Sequence, residues 1–591
     1  VNLATCRPSM VFFAGQAICY AGRSSHGCGA RLECAARCSR RIGSSHSRRV
    51  EFSDGAHLSQ LTIEAIMSTI FYGFVLRLGQ IAIEACLTLL IGVMVAGVLR
   101  RMVGPAGTRK LFGSGWNGLL RGWLAGMLLP VCSLGVIPVA REMRRSGVPG
   151  GTVLAFVLAA PLLNPISFLY GLTLAEPSVI CCFAAASLVI TTLAGLLWDR
   201  FFARNIDASE CKLLSEKADA VPMPGEGPKR ILSVFVTACR ELTGRDLGFY
   251  AIGLLGSAML AGAISYGSLQ HTMQHADHTS PLLMAAVAVP IYSSPLPGMM
   301  KIGLMFEHGN SIGASLVLFT LGIGTSLGTL AWLLVDFGWK RIIPWFLSYV
   351  LIVLVTAYAA EPLLYDSRKK EEEHTHAFDD YTCPFPAHSV DHAPLIRLKW
   401  AEAFGPLEQT VCYGLVGMLA AGMFLRRLDR GGRAESWLTA RNADTGKARP
   451  KWDVTIPGPI LGGISLVGLI AFSVVGAYLY YPNRNECLDR IAAVYAEAAV
   501  ATRTGDKNDA IRRLEQWDLL VRKLQVGVYI RSGGLTGEQA EAAEELREAL
   551  EEVRDMLLAD DLEGAKAHLI LVSLKHRALK DAYPRVESRD Q

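Results

Sequence analysis

The chain has 591 residues, 51% of them hydrophobic, with a mean hydropathy of +0.31. That is too apolar for a water-soluble protein, and several apolar runs reach the roughly 20 residues that span a bilayer. The formal charge of +5 gives no case for nucleic acid, so the only informative charge pattern is where the positive residues sit.

Five of the 14 cysteines (Cys6, Cys19, Cys28, Cys34 and Cys38) fall in the first 38 residues. That region has no apolar periodicity, and its apolar run from Met10 to Tyr20 is weakly signal-like without a convincing cleavage site. A small disulfide or metal module is one reading. The reading adopted is a non-native start or a disordered segment over residues 1–66, with Met67 beginning the protein proper.

Apolar runs then predict membrane helices near 78–99, 152–175, 178–198, 247–267, 311–335, 343–361, 407–425 and 457–481. Two more runs, 116–140 and 282–300, are broken by proline and glycine. Positive residues favour the cytoplasm. Arg100, Arg101, Arg109, Lys110 and Arg121 place the end of the first helix there, and Arg141, Arg144, Arg145 and the basic stretch 199–245 belong on the same side. Both conditions hold only when 116–140 dips into the membrane and returns. Lys340, Arg341 and the loop 426–456 impose the same test downstream, so 282–300 is expected to re-enter from the opposite face. Lys301 and Arg368-Lys369-Lys370 would then lie outside, against the charge rule. The two halves repeat one order of elements upside down, with Pro130 matched to Pro290, Gly147 to Gly309 and Gly151 to Gly313. The expected fold is an all-α polytopic membrane protein, an inverted pair of four-element repeats with broken or re-entrant helices, plus a small C-terminal α-helical soluble domain.

The stretch Leu129–Pro165 organises the rest. Pro130, Gly135 and Pro138 break an apolar segment at Cys132 and Ser133, and the following apolar helix ends in Pro161, Asn164 and Pro165. Interior proline costs about 3 kcal/mol in a helix, and broken backbone at membrane depth persists only where protein or a cavity surrounds it. Transporters build mid-membrane substrate sites from such breaks. Pro130-Val131-Cys132-Ser133-x-Gly135-Val136-Ile137-Pro138, then Gly147, then Ala159-Ala160-Pro161-x-x-Asn164-Pro165, resembles the predicted-permease family that includes organoarsenical exporters. Family members usually read P-x-C-x-C-G-x-I-P here. Leu134 stands at the second cysteine position, so one thiol remains. The surrounding hydropathy fits the family to about Glu361.

The resemblance implies a permease core over 67–361: repeat one at 67–200, a cytoplasmic linker at 201–245 and repeat two at 246–361. An external His/Asp-rich loop (362–406) follows, then two additional helices across 407–481 flanking the basic cytoplasmic loop 426–456. From 483 to 591 helix formers take over with apolar residues at three- and four-residue spacing, which predicts two or three antiparallel helices outside the cytoplasm.

Cys132, Ser133 and Asn164, with Tyr292 and Ser294 from the second broken segment, are the candidate substrate-binding residues. Against this, a buried cysteine also fills tight crossings, and Asn164 serves equally to satisfy backbone freed by the prolines. Glu84, inside the first membrane helix, is expensive there and by default functional; proton coupling is its candidate role, snorkelling or pairing with Arg77 the plain alternative. His374, His376, His388 and His392 crowd the outer loop and suit an external metal ion, though a solvated polar loop is the commoner explanation of such a cluster. No cofactor motif occurs, neither a Walker A sequence nor GxSxG or HExxH in the context it would need, so neither an ATP-driven pump nor an enzyme is expected.

The functional expectation is a multi-pass permease of the cell inner (plasma) membrane. It would export a small solute, arsenical, metal-related or sulfur-containing, by alternating access. Its partners would be that solute or ion, the lipid bilayer, and a protein partner at the C-terminal helices. Two other classes stand beside it. A thiol–disulfide electron carrier needs two cysteines that meet. A sensor or scaffold would act through residues 483–591 alone.

Overall fold

The computed structural model describes residues 54–203, 228–364, 375–429 and 481–585, apart from short gaps, and scattered positions between 430 and 480. Most of the segment 1–66 expected to be a non-native start or disordered, most of the expected linker 201–245 and most of the expected helix 457–481 lie outside the described residues. Two units divide the chain, Val1–Ile63 and Glu64–Gln591, and the second carries everything that follows.

Every regular element among the described residues is helical. In chain order these are α1 (Asp54–Val98), α2 (Gly104–Phe112), α3 (Gly115–Leu128), α4 (Val136–Arg145), α5 (Gly150–Ala159), α6 (Pro177–Leu197), α7 (Pro228–Leu242), α8 (Asp246–Ala263) and α9 (Ser280–Ala288). They continue with α10 (Pro295–Glu307), α11 (Ile312–Val317), α12 (Leu327–Leu333), α13 (Trp339–Leu364) and α14 (Pro406–Leu428). Among the described residues, five helices are long and apolar enough to cross a membrane: Ile66–Phe112, Ser178–Phe202, Asp246–Ala263, Leu327–Leu364 and Glu408–Leu428. The chain is a helical membrane protein.

Glycines set how closely these helices approach. A Cβ on Gly118 would lie 2.6 Å from the Thr152 hydroxyl, on Gly122 2.9 Å from the Thr152 carbonyl, and on Gly126 2.8 Å from the Ala160 nitrogen. Positions rise together along both helices, so α3 and α5 run parallel. α4 therefore carries the chain back to the level where α3 began, and Gly147 (φ 81°) turns it into α5. The second half does the same. Gly313 packs on Pro281 and Gly322 on Ala288, so α9 runs parallel to α11 and its π-helical continuation Leu318–Ile323, and Gly309 (φ 64°) makes the turn after α10.

Further matches share one 162-residue offset. The Gly151 N–H donates to the Asp199 carboxylate at 2.9 Å, and the Gly313 N–H donates to the Glu361 carboxylate. Each closes an orphaned helix N-terminus with an acidic side chain from a neighbouring helix. The two apolar helices also break alike. After α5 the chain restarts at Asn164, whose amide oxygen accepts from the Ser167 N–H at 2.8 Å. After Ile323 it restarts at Ser326, whose hydroxyl accepts from the Thr329 N–H at 3.2 Å. The expected run 311–335 is thus two short helices with a capped break between them, and the second continues through the π-helical turn Leu334–Gly338 (Gly338 φ 87°) into α13.

The two turns lie by opposite ends of α13. The Gly147 turn lies among Arg100, Glu241 and Asp336. The Gly309 turn lies beside Gln274, paired with Asn310, and Glu361, paired with His275.

Residues 483–585 form a separate core of four helices, where two or three were expected: α15 (Arg484–Thr504), α16 (Lys507–Ser532), α17 (Gly537–Leu558) and α18 (Leu562–Ala582). Their starts are written in the sequence. Asn483, Asp506, Thr536 and Asp561 each accept an N–H three residues on, and Gly505 and Gly533 end α15 and α16 in the left-handed region. Tyr266 and Asp379, near the Gly309 end, have Arg554 of this bundle as a charged neighbour.

Candidate functional site

The breaks expected to carry function meet against α1. At the first, the Cys132 thiol accepts the Gly135 N–H at 3.2 Å, just ahead of α4. Gly135 then presses on α1, where a Cβ would lie 2.6 Å from the Thr88 carbonyl. Leu134, at the position of the absent second cysteine, fills the gap between Gly253 and Gly328, whose Cβ atoms would each come within 2.7 Å of it. The Ser133 carbonyl accepts from the Thr329 hydroxyl, tying the first break to the restart of the second half. The Ser133 hydroxyl is buried without a hydrogen bond.

At the second break, Ser257 of α8 holds both sides, donating to the Pro290 carbonyl at 3.1 Å and accepting from the Tyr292 N–H at 3.0 Å. Glu84 accepts the Ser294 N–H at 2.6 Å, at the first turn of α10. Tyr292 has Cys132, Glu84 and Thr88 as polar neighbours, and its buried hydroxyl makes no hydrogen bond of good geometry to any of them.

A cavity of about 440 Å³ opens beside this junction. Its wall includes Glu84, Tyr292 and Ser294, three of the residues singled out in the sequence. Cys132 and Ser133 are wholly buried and are not on that wall, and Asn164 is engaged with Ser167. Of the candidate metal ligands, His374, His376 and His388 lie outside the described residues. His392 is buried, 3.1 Å from the Thr69 hydroxyl and stacked on Tyr72. No group of three metal-ligating side chains occurs among the described residues.

The cavity also has residues the sequence reading missed. Arg77 does not pair with Glu84. Its guanidinium donates to the Thr382 carbonyl (3.0 and 2.8 Å), the Asp379 carbonyl (2.5 Å) and Gln80 (2.9 Å), and it lies 3.5 Å from Asp380. Lys301 is not a surface marker of topology. It is 5% exposed, lines the cavity, and sits 3.3 Å from Asp380 and over the Tyr381 ring. One signal was available: Lys301 follows Ser294 by seven residues, two helical turns on one face.

Cys86 of α1 and Cys412 of α14 meet with their sulfurs 3.2 Å apart. The adjacent Leu87 and Val411 are on the cavity wall.

Residues 71–361 match a family described as predicted permeases. Among curated proteins, the UPF0718 protein YcgR of Bacillus subtilis is 38% identical over 88 residues, 15% of this chain and 30% of that protein. A Streptococcus mutans protein named "Putative two-component membrane permease complex subunit" is 30% identical over 88 residues, 15% of this chain and 29% of its own length. The chain thus spans under a third of the length of these curated relatives. No solved structure matches.

Proposed function

Because residues 71–361 belong to the predicted-permease family, we propose that the chain is a secondary permease of the cell inner membrane. A small solute would pass by alternating access between two inverted repeats, and the solute would be exported. The observation that carries the reading is the shared 162-residue offset. Turns, helix caps and broken-helix restarts recur at it, with the two turns at opposite ends. Inverted halves with broken helices at their interface are a recurrent transporter plan. In this reading α3–α4 and α9–α10 are re-entrant hairpins entering from opposite faces. Cys132, Ser133, Tyr292 and Ser294 lie where the hairpins meet, Asn164 shapes the first broken helix, and Glu84 carries a coupling proton. The C-terminal bundle is then extracytoplasmic, on the side of Tyr266 and Asp379.

Maleimide labelling from each side of the membrane tests the architecture, with single cysteines at Asn117, Arg145, Ser268 and Thr279 in a background lacking native cysteines. Asn117 and Arg145 should label from the cytoplasm, Ser268 and Thr279 from outside. Labelling of Arg145 from outside would make α3–α4 an ordinary crossing and sink the reading.

One observation favours a second reading, a membrane thiol–disulfide carrier: Cys86 and Cys412 are close enough to exchange. Carrier activity predicts that reduced protein passes electrons to a disulfide substrate and that Cys412→Ser abolishes it. Transport unaffected by Cys412→Ser, with no such electron transfer, rules it out.

A further inference from the structure

We infer that the outward face of α18 is a self-association surface, on which a second copy of this chain pairs antiparallel about a two-fold axis. This goes beyond the permease reading and does not depend on it. The inward face of α18 is Ala565, Leu569, Val572, His576 and Leu579, the stripe that closes the bundle. The opposite face is apolar as well. Ala567, Ile570, Leu571, Leu574 and Ala578 recur at three- and four-residue spacing, and all are exposed, Ile570 by 71% and Leu574 by 60%. On the neighbouring α17 the exposed positions between its ends are acidic instead, Glu541, Glu548 and Glu552. A single exposed apolar residue is ordinary, but a helix apolar on opposite faces is one that is covered on both. The membrane domain does not cover this one. The bundle packs in the order α15, α16, α17, α18, and α18 returns to α15 through the Tyr495–Ser573 hydrogen bond at 3.1 Å. α18 is thus diagonal to α16, and α16 is the helix seated on the membrane domain: Val526 belongs to that domain's core, Ile530 packs against it, and Glu515 is a charged neighbour of Tyr266.

The charges around the stripe select a second copy. Along this face α18 carries Glu563, Lys566 on its flank, the apolar residues, then Arg577 and Asp581: minus, plus, apolar, plus, minus. The other charges nearby are engaged or turned away. His568 and Lys575 meet Glu552 and Glu545 of α17, Asp560 meets Lys507, Asp561 caps α18 and Arg585 meets Asp489. Lys580 lies about a third of a turn off the stripe. A parallel pair in register would set each charge of the face against its like. An antiparallel pair sets Glu563 near Arg577 of the second copy and Lys566 near its Asp581, and the same at the other end. Glu563 and Asp581 approach each other there too, with Lys566 and Arg577 beside them, so each end is neutral. The midpoints of Glu563 and Arg577, of Ile570 and Leu574, and of Lys566 and Asp581 fall at residues 570, 572 and 573–574. One register therefore serves the apolar centre and both charge pairs. The same patch on both copies is the isologous arrangement that closes a dimer. The rim charges set its direction and the apolar centre its affinity, and confinement to one membrane raises the effective concentration of the copies.

The test measures the mass of the full chain in detergent by light scattering and its cross-linking in membranes. The unaltered chain should be a dimer, and Leu574→Arg, at an exposed position, should weaken it by about tenfold or more with the helical content unchanged. Arg577→Glu should weaken it severalfold, and adding Glu563→Arg should restore it. These two positions lie 14 residues apart on one helix, out of each other's reach, so the restoration can arise only between copies. In a background lacking native cysteines, a short bis-maleimide should join Glu563→Cys chains to Asp581→Cys chains and should not join Glu563→Cys chains to one another. A monomeric unaltered chain, a dimer indifferent to Leu574→Arg, or Glu563→Cys joined to itself overturns the inference. So does a photo-cross-linker at Leu571 that captures another protein, or residues 430–480 of its own chain, in place of α18 of a second copy.

Discussion

Single residues here are fixed by what touches them. Gly135 is one case: its missing Cβ lets the first break lie against the α1 backbone at Thr88 and Gly92. Backbone cannot yield as a side-chain tip can, so Gly135→Ala should destabilise the chain by about 1–3 kcal/mol, seen as a lowered Tm in detergent. His576 is another. It is 4% exposed, stacked on Tyr495 and set edge-on to Trp517, and neither ring nitrogen has a hydrogen bond. Burial, aided by the Lys580 charge, pushes its imidazole down to about 4. The unfolded chain takes up that proton near pH 6.5, so the bundle loses stability as pH falls from about 6.5 toward 4, by about 3 kcal/mol in all. Protection factors for amide hydrogen exchange in α18 of the full chain, corrected for the intrinsic rate at each pH, should fall over that interval, and His576→Phe should flatten the dependence. Asp518 acts lower on the scale. Its burial opposes ionisation, but Arg522 and Arg547 outweigh it and hold the carboxylate below its usual range.

At the scale of elements, broken helices need their ends closed. Asp199 and Glu361 each supply a carboxylate to a glycine N–H at a helix start, a charge-assisted bond typically worth about 1.5–3 kcal/mol. Asp199→Ala and Glu361→Ala should each lower Tm, Glu361→Ala by more because that carboxylate also holds His275 and Ser311. A large loss for one with none for the other would argue against equivalent halves. Proline and glycine placement made the breaks near Pro130, Pro161 and Pro290 readable. The break at Gly324–Ser326 was not, because it has no proline and its cap is a lone serine within an apolar run.

Across the whole molecule, the end bearing the Gly147 turn is held by ion pairs. Glu241 accepts from Arg100 and Arg145, each at 2.6 Å, Arg144 meets Asp336 at 3.1 Å, and Arg141 pairs with Asp246. These contacts join the first hairpin to the segments that begin and end the second half's inner helices. The 440 Å³ cavity lies toward the other end, by Asp380 and Tyr381. Rocking of the halves, as proposed, must part this network. Glu241→Gln should then favour the opposite state and speed N-ethylmaleimide reaction at the buried Cys132, by about tenfold for each 1.4 kcal/mol of bias. An unchanged rate would mean that the network does not hold the closed state.

Apolar runs, prolines and the positions of arginine were enough to read a helical membrane protein, its two organising breaks and its family, since hydropathy and backbone restriction are local properties. The helix caps of the bundle were equally legible, because Asn483, Asp506, Thr536 and Asp561 act on N–H groups only three residues away. The partners were not. Arg77 reaches residues about 300 positions away, Glu84 reaches Ser294, and Cys86 reaches Cys412. Charge in a membrane is settled by whatever surrounds it, and only the tertiary structure brings Lys301, read from sequence as an outer marker, onto the wall of the cavity beside Glu84.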